Sequence, residues 1–162
     1  MRNKKQYFQE VYEQLKDKTY RLCLGFMGNK SDADDLYQEV FIKIWQNLEN
    51  FRNESNINTW VYKITTNTAL FTLNKKRKLN NRNFKDIEQV TEIKSFDNLE
   101  NEQKTKTLYK AISTLKEIDR IIIGLLLEEC TYAQISNITG ISISNVGVRI
   151  NRIKKSLNKK LK

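Results

Sequence analysis

Apolar residues recur at three- and four-residue steps along most of the chain, the spacing that lines one face of an α-helix. Phe8, Val11, Tyr12, Leu15, Leu22 and Phe26 predict a first helix over about residues 6–27, which Gly28-Asn29 interrupts. Ala33, Leu36, Val40, Phe41, Ile44, Trp45 and Leu48 predict a second over 32–48. Ser31, with Asp34 three residues on, is placed to cap it, and Asp32, Asp34 and Asp35 crowd the positive end of its dipole. A third helix, about 59–77, carries Trp60, Val61, Ile64, Ala69 and Leu73 inward and ends in Lys75-Lys76-Arg77-Lys78. From Leu79 to about Lys104 the pattern fades into Asn, Asp, Glu and Lys, which predicts a polar linker with a helix beginning near Leu99. Periodicity resumes with Leu108, Ala111, Ile112 and Leu115, and an Ile- and Leu-rich helix follows over 118–127.

The end of the chain is the most specific part. Tyr132, Ala133, Ile135, Ile138 and Thr139 predict a short helix, Gly140 a turn, and Ile141 a core position within it. Ser142 or Ser144 then caps a last helix whose inward face is Val146, Ile150, Ile153 and Leu157. That helix contains no acid. Arg149, Arg152, Lys154, Lys155, Lys159, Lys160 and Lys162 are left for a polyanion. Helix, turn and basic helix in this order form a helix-turn-helix, whose second helix lies in a DNA major groove.

Composition narrows the class. Proline is absent and no strand-like alternation is sustained, so the expected fold is all-α: two small helical domains joined by a polar linker. The expected boundaries are 1–78, 79–104 and 105–162. A net charge of +10 favours a polyanionic partner, because each neutralised phosphate releases counterions. The chain has no His, which removes His-based acid–base chemistry, Ser-His triads and His-containing zinc sites. Cys23 and Cys130 sit in apolar helical patterns and read as buried, reduced thiols. Neither has a second Cys at ligand spacing, and the Asp32, Asp34 and Asp35 group reads as helix capping before a magnesium site. No catalysis and no cofactor are expected. With no apolar run near the roughly 20 residues needed to span a bilayer, and no signal-peptide core after Met1–Lys5, a cytoplasmic protein is expected.

Two features admit both a structural and a functional reading, since a charged helix face is commonly just solvated and a basic helix end complements the dipole. The second helix shows an acid-led outer face of Asp32, Asp35, Gln38 and Glu39, an odd feature on so basic a chain and a poor place for DNA. The segment 50–58, Asn-Phe-Arg-Asn-Glu-Ser-Asn-Ile-Asn, supplies hydrogen-bonding side chains just before aromatic Trp60 and the basic end of the third helix. Such interleaving of aromatic and basic groups suits single-stranded nucleic acid.

Together these residues resemble a known family. Asp32-Ala33-Asp34-Asp35-Leu36-Tyr37-Gln38-Glu39-Val40-Phe41, then Trp45, Phe51-Arg52, Ser55, Thr59-Trp60-Val61-Tyr62-Lys63-Ile64 and Asn67 resemble region two of bacterial RNA polymerase sigma factors. Leu115, Arg120, Thr131-Tyr132-Ala133-Gln134-Ile135, Gly140-Ile141-Ser142, Val146, Arg149 and Leu157 resemble region four. With little between the two, the chain is similar to the extracytoplasmic-function (ECF) type. The resemblance implies a dissociable initiation factor that binds core RNA polymerase, at the clamp helices of the largest subunit and at the flap, and recognises promoter DNA. It also implies an anti-sigma partner, often membrane-bound in the family.

On that reading Asp32, Asp35, Leu36, Gln38 and Glu39 bind core polymerase. Asn53, Ser55, Asn56, Trp60, Lys63, Asn67, Lys75, Lys76 and Arg77 contact the −10 element. Ser144, Asn145, Arg149, Asn151, Arg152, Lys154 and Lys155 contact the −35 element. Three positions depart from the family pattern: Phe71 stands where Asp is frequent, Lys116 where Pro is, and Gly147 where a basic residue is. A tether of ~25 residues averages about 25–30 Å end to end and stretches to about 80–90 Å. It therefore spans two elements roughly 50 Å apart only when held extended; free of polymerase, the lobes are expected to be mutually mobile or docked together. A stand-alone helix-turn-helix regulator is the alternative. It explains the last helices but leaves the Asp-Gln-Glu face and the Trp60 segment without a use.

Overall fold

Short polar side chains set the helix starts. Asn3 accepts from the Gln6 N–H at 2.8 Å and opens α1, Lys4–Met27. Gly28, in the left-handed region at φ 81°, closes it. Asn29 then caps α2, Lys30–Asn47, by accepting from the Asp32 N–H at 2.9 Å. The expected cap Ser31 instead lies inside the first turn, two residues after Asn29, whose extended backbone takes the capping role. A short 3-10 turn, Leu48–Asn50, leads to the loop before α3, Ile57–Asn83. After α4, Leu99–Ser113, and α5, Glu117–Leu127, come α6, Tyr132–Thr139, and α7, Ile143–Leu161.

The computed structural model describes residues 3–83 and 99–161, and among these all regular structure is helical. α3 runs six residues past its expected end at Arg77, and most of the expected linker lies outside the described residues.

Helices α1, α2 and α3 pack mutually, and α6 and α7 pack on each other and on α5. The two groups are docked. α1 packs on α4 and α5, α3 packs on α6, and the buried residues form one continuous apolar core. Gly124 of α5 lies so near the buried Phe26 ring of α1 that a Cβ there would stand 2.9 Å from it. Around this contact, polar groups tie the lobes. Glu128 accepts from Arg21 Nε at 2.6 Å and from its Nη2 at 3.0 Å. Arg120 donates through Nε to the Phe26 carbonyl at 3.0 Å and through Nη1 to the Leu115 carbonyl at 3.0 Å, satisfying acceptors at two helix ends. Arg77 and Glu117 pair at 3.4 Å. Among the described residues no helix is long and apolar enough to cross a membrane.

Candidate nucleic-acid interface

The helix-turn-helix is built by its caps. Thr131 and Gln134 form a reciprocal capping box, with bonds of 3.1 and 2.8 Å, and Gly140 at φ 79° ends α6. Of the two candidate serines it is Ser142 that caps α7, accepting from the Asn145 N–H at 3.2 Å. Val146, Ile150, Ile153 and Leu157 are buried as their spacing requires. Ser144, Asn145, Asn151, Arg152, Lys154 and Lys155 are exposed on the other side. Arg149 is not. Its Nη1 donates to Asp119 of α5 at 3.1 Å, and its buried Nε has no hydrogen-bond partner. Val148, absent from the sequence reading, stands 61% exposed among the outward side chains. Its signal was available: it is an apolar residue off the apolar stripe.

On α3 the exposed positions Lys63, Asn67, Phe71, Asn74, Lys75 and Lys78 follow one another at helical steps along one face. Lys76 is turned inward and paired with Asp32. At the head of the helix Trp60 packs on Phe51 with ring centroids 5.1 Å apart. Beside it a cavity of about 330 Å³ is lined by Lys43, Asn47, Asn50, Trp60, Ile64, Asn67 and Thr68. Trp60 and Asn67 thus share one cavity with Lys43, Asn47 and Asn50 from α2 and its end, which sequence spacing did not bring forward. Asn53, Ser55 and Asn56 are exposed on the loop but do not line this cavity. Asn53 adopts a left-handed backbone at φ 58°, and Asn56 is engaged locally, its side chain accepting from the Asn58 N–H at 3.0 Å.

The acidic face of α2 divides. Asp35, Gln38 and Glu39 are exposed. Asp32 accepts from Asn29 Nδ2 at 2.8 Å and pairs with Lys76, so it ties α2 to α3. Asp34 accepts from the Tyr20 hydroxyl and from Lys30, both at 2.7 Å. Partial burial opposes its charge, yet those bonds hold its carboxyl below the usual range. Leu36 is 1% exposed, in the core, so its side chain cannot meet a partner. The outward face continues from Glu39 to exposed Ile42 and an apolar groove walled by Phe8, Tyr12, Phe41 and Trp45. Edge-to-face contacts hold that wall, with Phe8–Trp45 centroids at 5.3 Å and Tyr12–Phe41 at 5.1 Å. Both thiols are buried; burial pushes Cys130 up to about 11 and Cys23 higher still.

Comparison with known proteins agrees with this geometry at the level of the whole chain. Residues 11–79 match the family described as sigma-70 region 2, and residues 105–157 match sigma-70 region 4. The chain is 31% identical over 134 residues to the RNA polymerase sigma factor SigV of Bacillus subtilis, covering 82% of this chain and 78% of that one. It is 27% identical over 166 residues to the ECF RNA polymerase sigma factor SigW of the same organism, covering 96% and 89%. Among solved structures, the sigma factor RpoE in complex with the anti-sigma factor NepR from Bartonella quintana matches with a TM-score of 0.78 at 21% identity, over 95% of this chain and 96% of that one.

Proposed function

The chain belongs to the ECF type of RNA polymerase sigma factors, which direct promoter-specific transcription initiation, and from that premise we propose how its surfaces divide the task. Residues 1–78 engage core polymerase and the −10 element, and residues 105–162 read the −35 element. The exposed Asp35, Gln38 and Glu39 of α2, continued by Ile42 and the aromatic groove, dock on the polymerase clamp. α7 enters the major groove, with Asn145, Asn151 and Arg152 directed at base edges and Lys154 and Lys155 at phosphates. Val148 meets a thymine methyl group, the apolar feature that groove offers. Arg149 acts as a positioning residue, holding α7 on α5 through Asp119. The pocket of Trp60 and Asn67 takes a base flipped out of the −10 element, while Asn53, Ser55 and Asn56 flank the path of the strand. Exposed Lys63 and Lys75 hold its phosphates. Lys76 and Arg77 join them when their ion pairs with Asp32 and Glu117 part.

The factor works by binding and catalyses nothing; strand opening draws on binding energy. It acts where polymerase acts, in the cytoplasm. An anti-sigma protein covering the same surfaces is proposed by analogy with the RpoE relative.

One observation carries the reading: charge is segregated, with an exposed acidic face on α2 and an acid-free cationic face on α7. The test is transcription by purified bacterial core polymerase, with and without this chain, on fragmented bacterial genomic DNA. Discrete new start sites are expected, preceded by two shared sequence elements. Glu39→Lys should lower core affinity at least about tenfold, roughly 1.4 kcal/mol, and leave binding to duplex −35 DNA unchanged. Absence of start sites and of core binding, with duplex DNA still shifted, would assign the chain to the stand-alone regulators instead.

A further inference from the structure

We propose that Phe71 is a stacking platform for one unpaired base of the opened promoter strand, an inference that rests on the sigma-factor reading. Phe71 is 66% exposed in the middle of α3, more than any other large apolar side chain among the described residues. Its neighbours on that face are polar or cationic: Asn67 one turn before, Asn74 and Lys75 one turn after, and Lys63 and Lys78 beyond them. The residues four positions away on either side lie about 6 Å from it along the helix axis.

Charge and isolation select the occupant. A protein partner would call for a contiguous apolar patch, and the residues one turn to either side of this ring are amides and an ammonium group. A single DNA strand fits: its phosphates suit the three lysines, and any base offers a π-face to the ring. A regular α-helix holds the ring in place before the strand arrives, so little order has to be imposed on binding. Asn67 also lines the cavity beside Trp60. The strand therefore runs from the basic end of α3, across Phe71, to that pocket.

The test uses holoenzyme on a promoter recovered from the start-site experiment, with abasic sites placed one at a time in the non-template strand. Removing one base should weaken open-complex formation by wild type about tenfold, the scale of base–aromatic stacking. Phe71→Ala should show the same loss on the intact promoter and no further loss at that abasic position, whereas Phe71→Trp should retain wild-type behaviour. Unchanged urea unfolding and core affinity in Phe71→Ala would show that the loss arises at the DNA. The proposal is overturned if Phe71→Ala opens the promoter at the wild-type rate. It is equally overturned if every abasic position costs wild type and variant alike, or if core affinity falls, which would place the ring on polymerase. Failure of wild type to initiate anywhere would instead overturn the sigma reading itself.

Discussion

Asp119 and Arg149 are 30 positions apart in sequence and meet at 3.1 Å, one on α5 and one on α7. Asp119 is only 8% exposed, and Arg149 is the side chain that donates to it there. Removing the carboxylate strands the guanidinium against α5, and Asp119→Ala should cost roughly 1–3 kcal/mol in urea unfolding. Arg149→Ala should weaken binding to all −35 sequences by a similar factor, because α7 is then less firmly aimed. Arg152→Ala should instead change which sequences are preferred. A competition assay across a randomised duplex library separates the two patterns. Sequence alone could place both arginines on the last helix and no further. Their difference is set by an acid from another helix, and a pair of that kind leaves no periodic trace.

Helices whose apolar stripe is strong were legible in the sequence, because burial of a stripe is what holds them. α1, α2 and α5 to α7 all lie within a few residues of their expected spans. Misjudgements gather where the stripe is weak or two polar residues compete. α3 outlasts its apolar pattern by six residues, and the choice of Asn29 over Ser31 as cap turns on which backbone is extended. The resemblance places Leu36 on the docking face with Asp35, but one step along a helix turns a side chain by about 100°, and Leu36 is buried. Gly147 stands where the resemblance leads to an expected basic residue. A Cβ there would meet the Tyr132 ring at 3.6 Å, ordinary contact distance. Gly147→Ala should therefore stabilise α7 by about 1 kcal/mol through helix propensity, measured as a rise in the urea midpoint, with DNA binding retained.

At the scale of the whole molecule the two lobes close on each other, one of the two arrangements expected of the free chain. On the proposed reading the two DNA-facing surfaces serve elements roughly 50 Å apart, and we propose that the lobes part on the path toward initiation. Gly124 is the place to test this. Val at that position would drive a branched side chain into the Phe26 ring, and overpacking of this kind costs about 1–3 kcal/mol. Gly124→Val should lower the urea midpoint and enlarge the radius of gyration in small-angle X-ray scattering as α5 leaves α1. An unchanged radius would mean that the ring gives way and the lobes stay closed.

The clasp between Arg21 and Glu128 joins residues 107 positions apart. At translation rates of about 5–20 residues per second, roughly 5–20 s separate the making of its two halves. During that interval the first three helices exist without α5, and the Phe26 face of α1 is bare. Closure therefore waits until α5 has been made. Until then the face that Gly124 will cover is open to any partner able to reach the nascent chain.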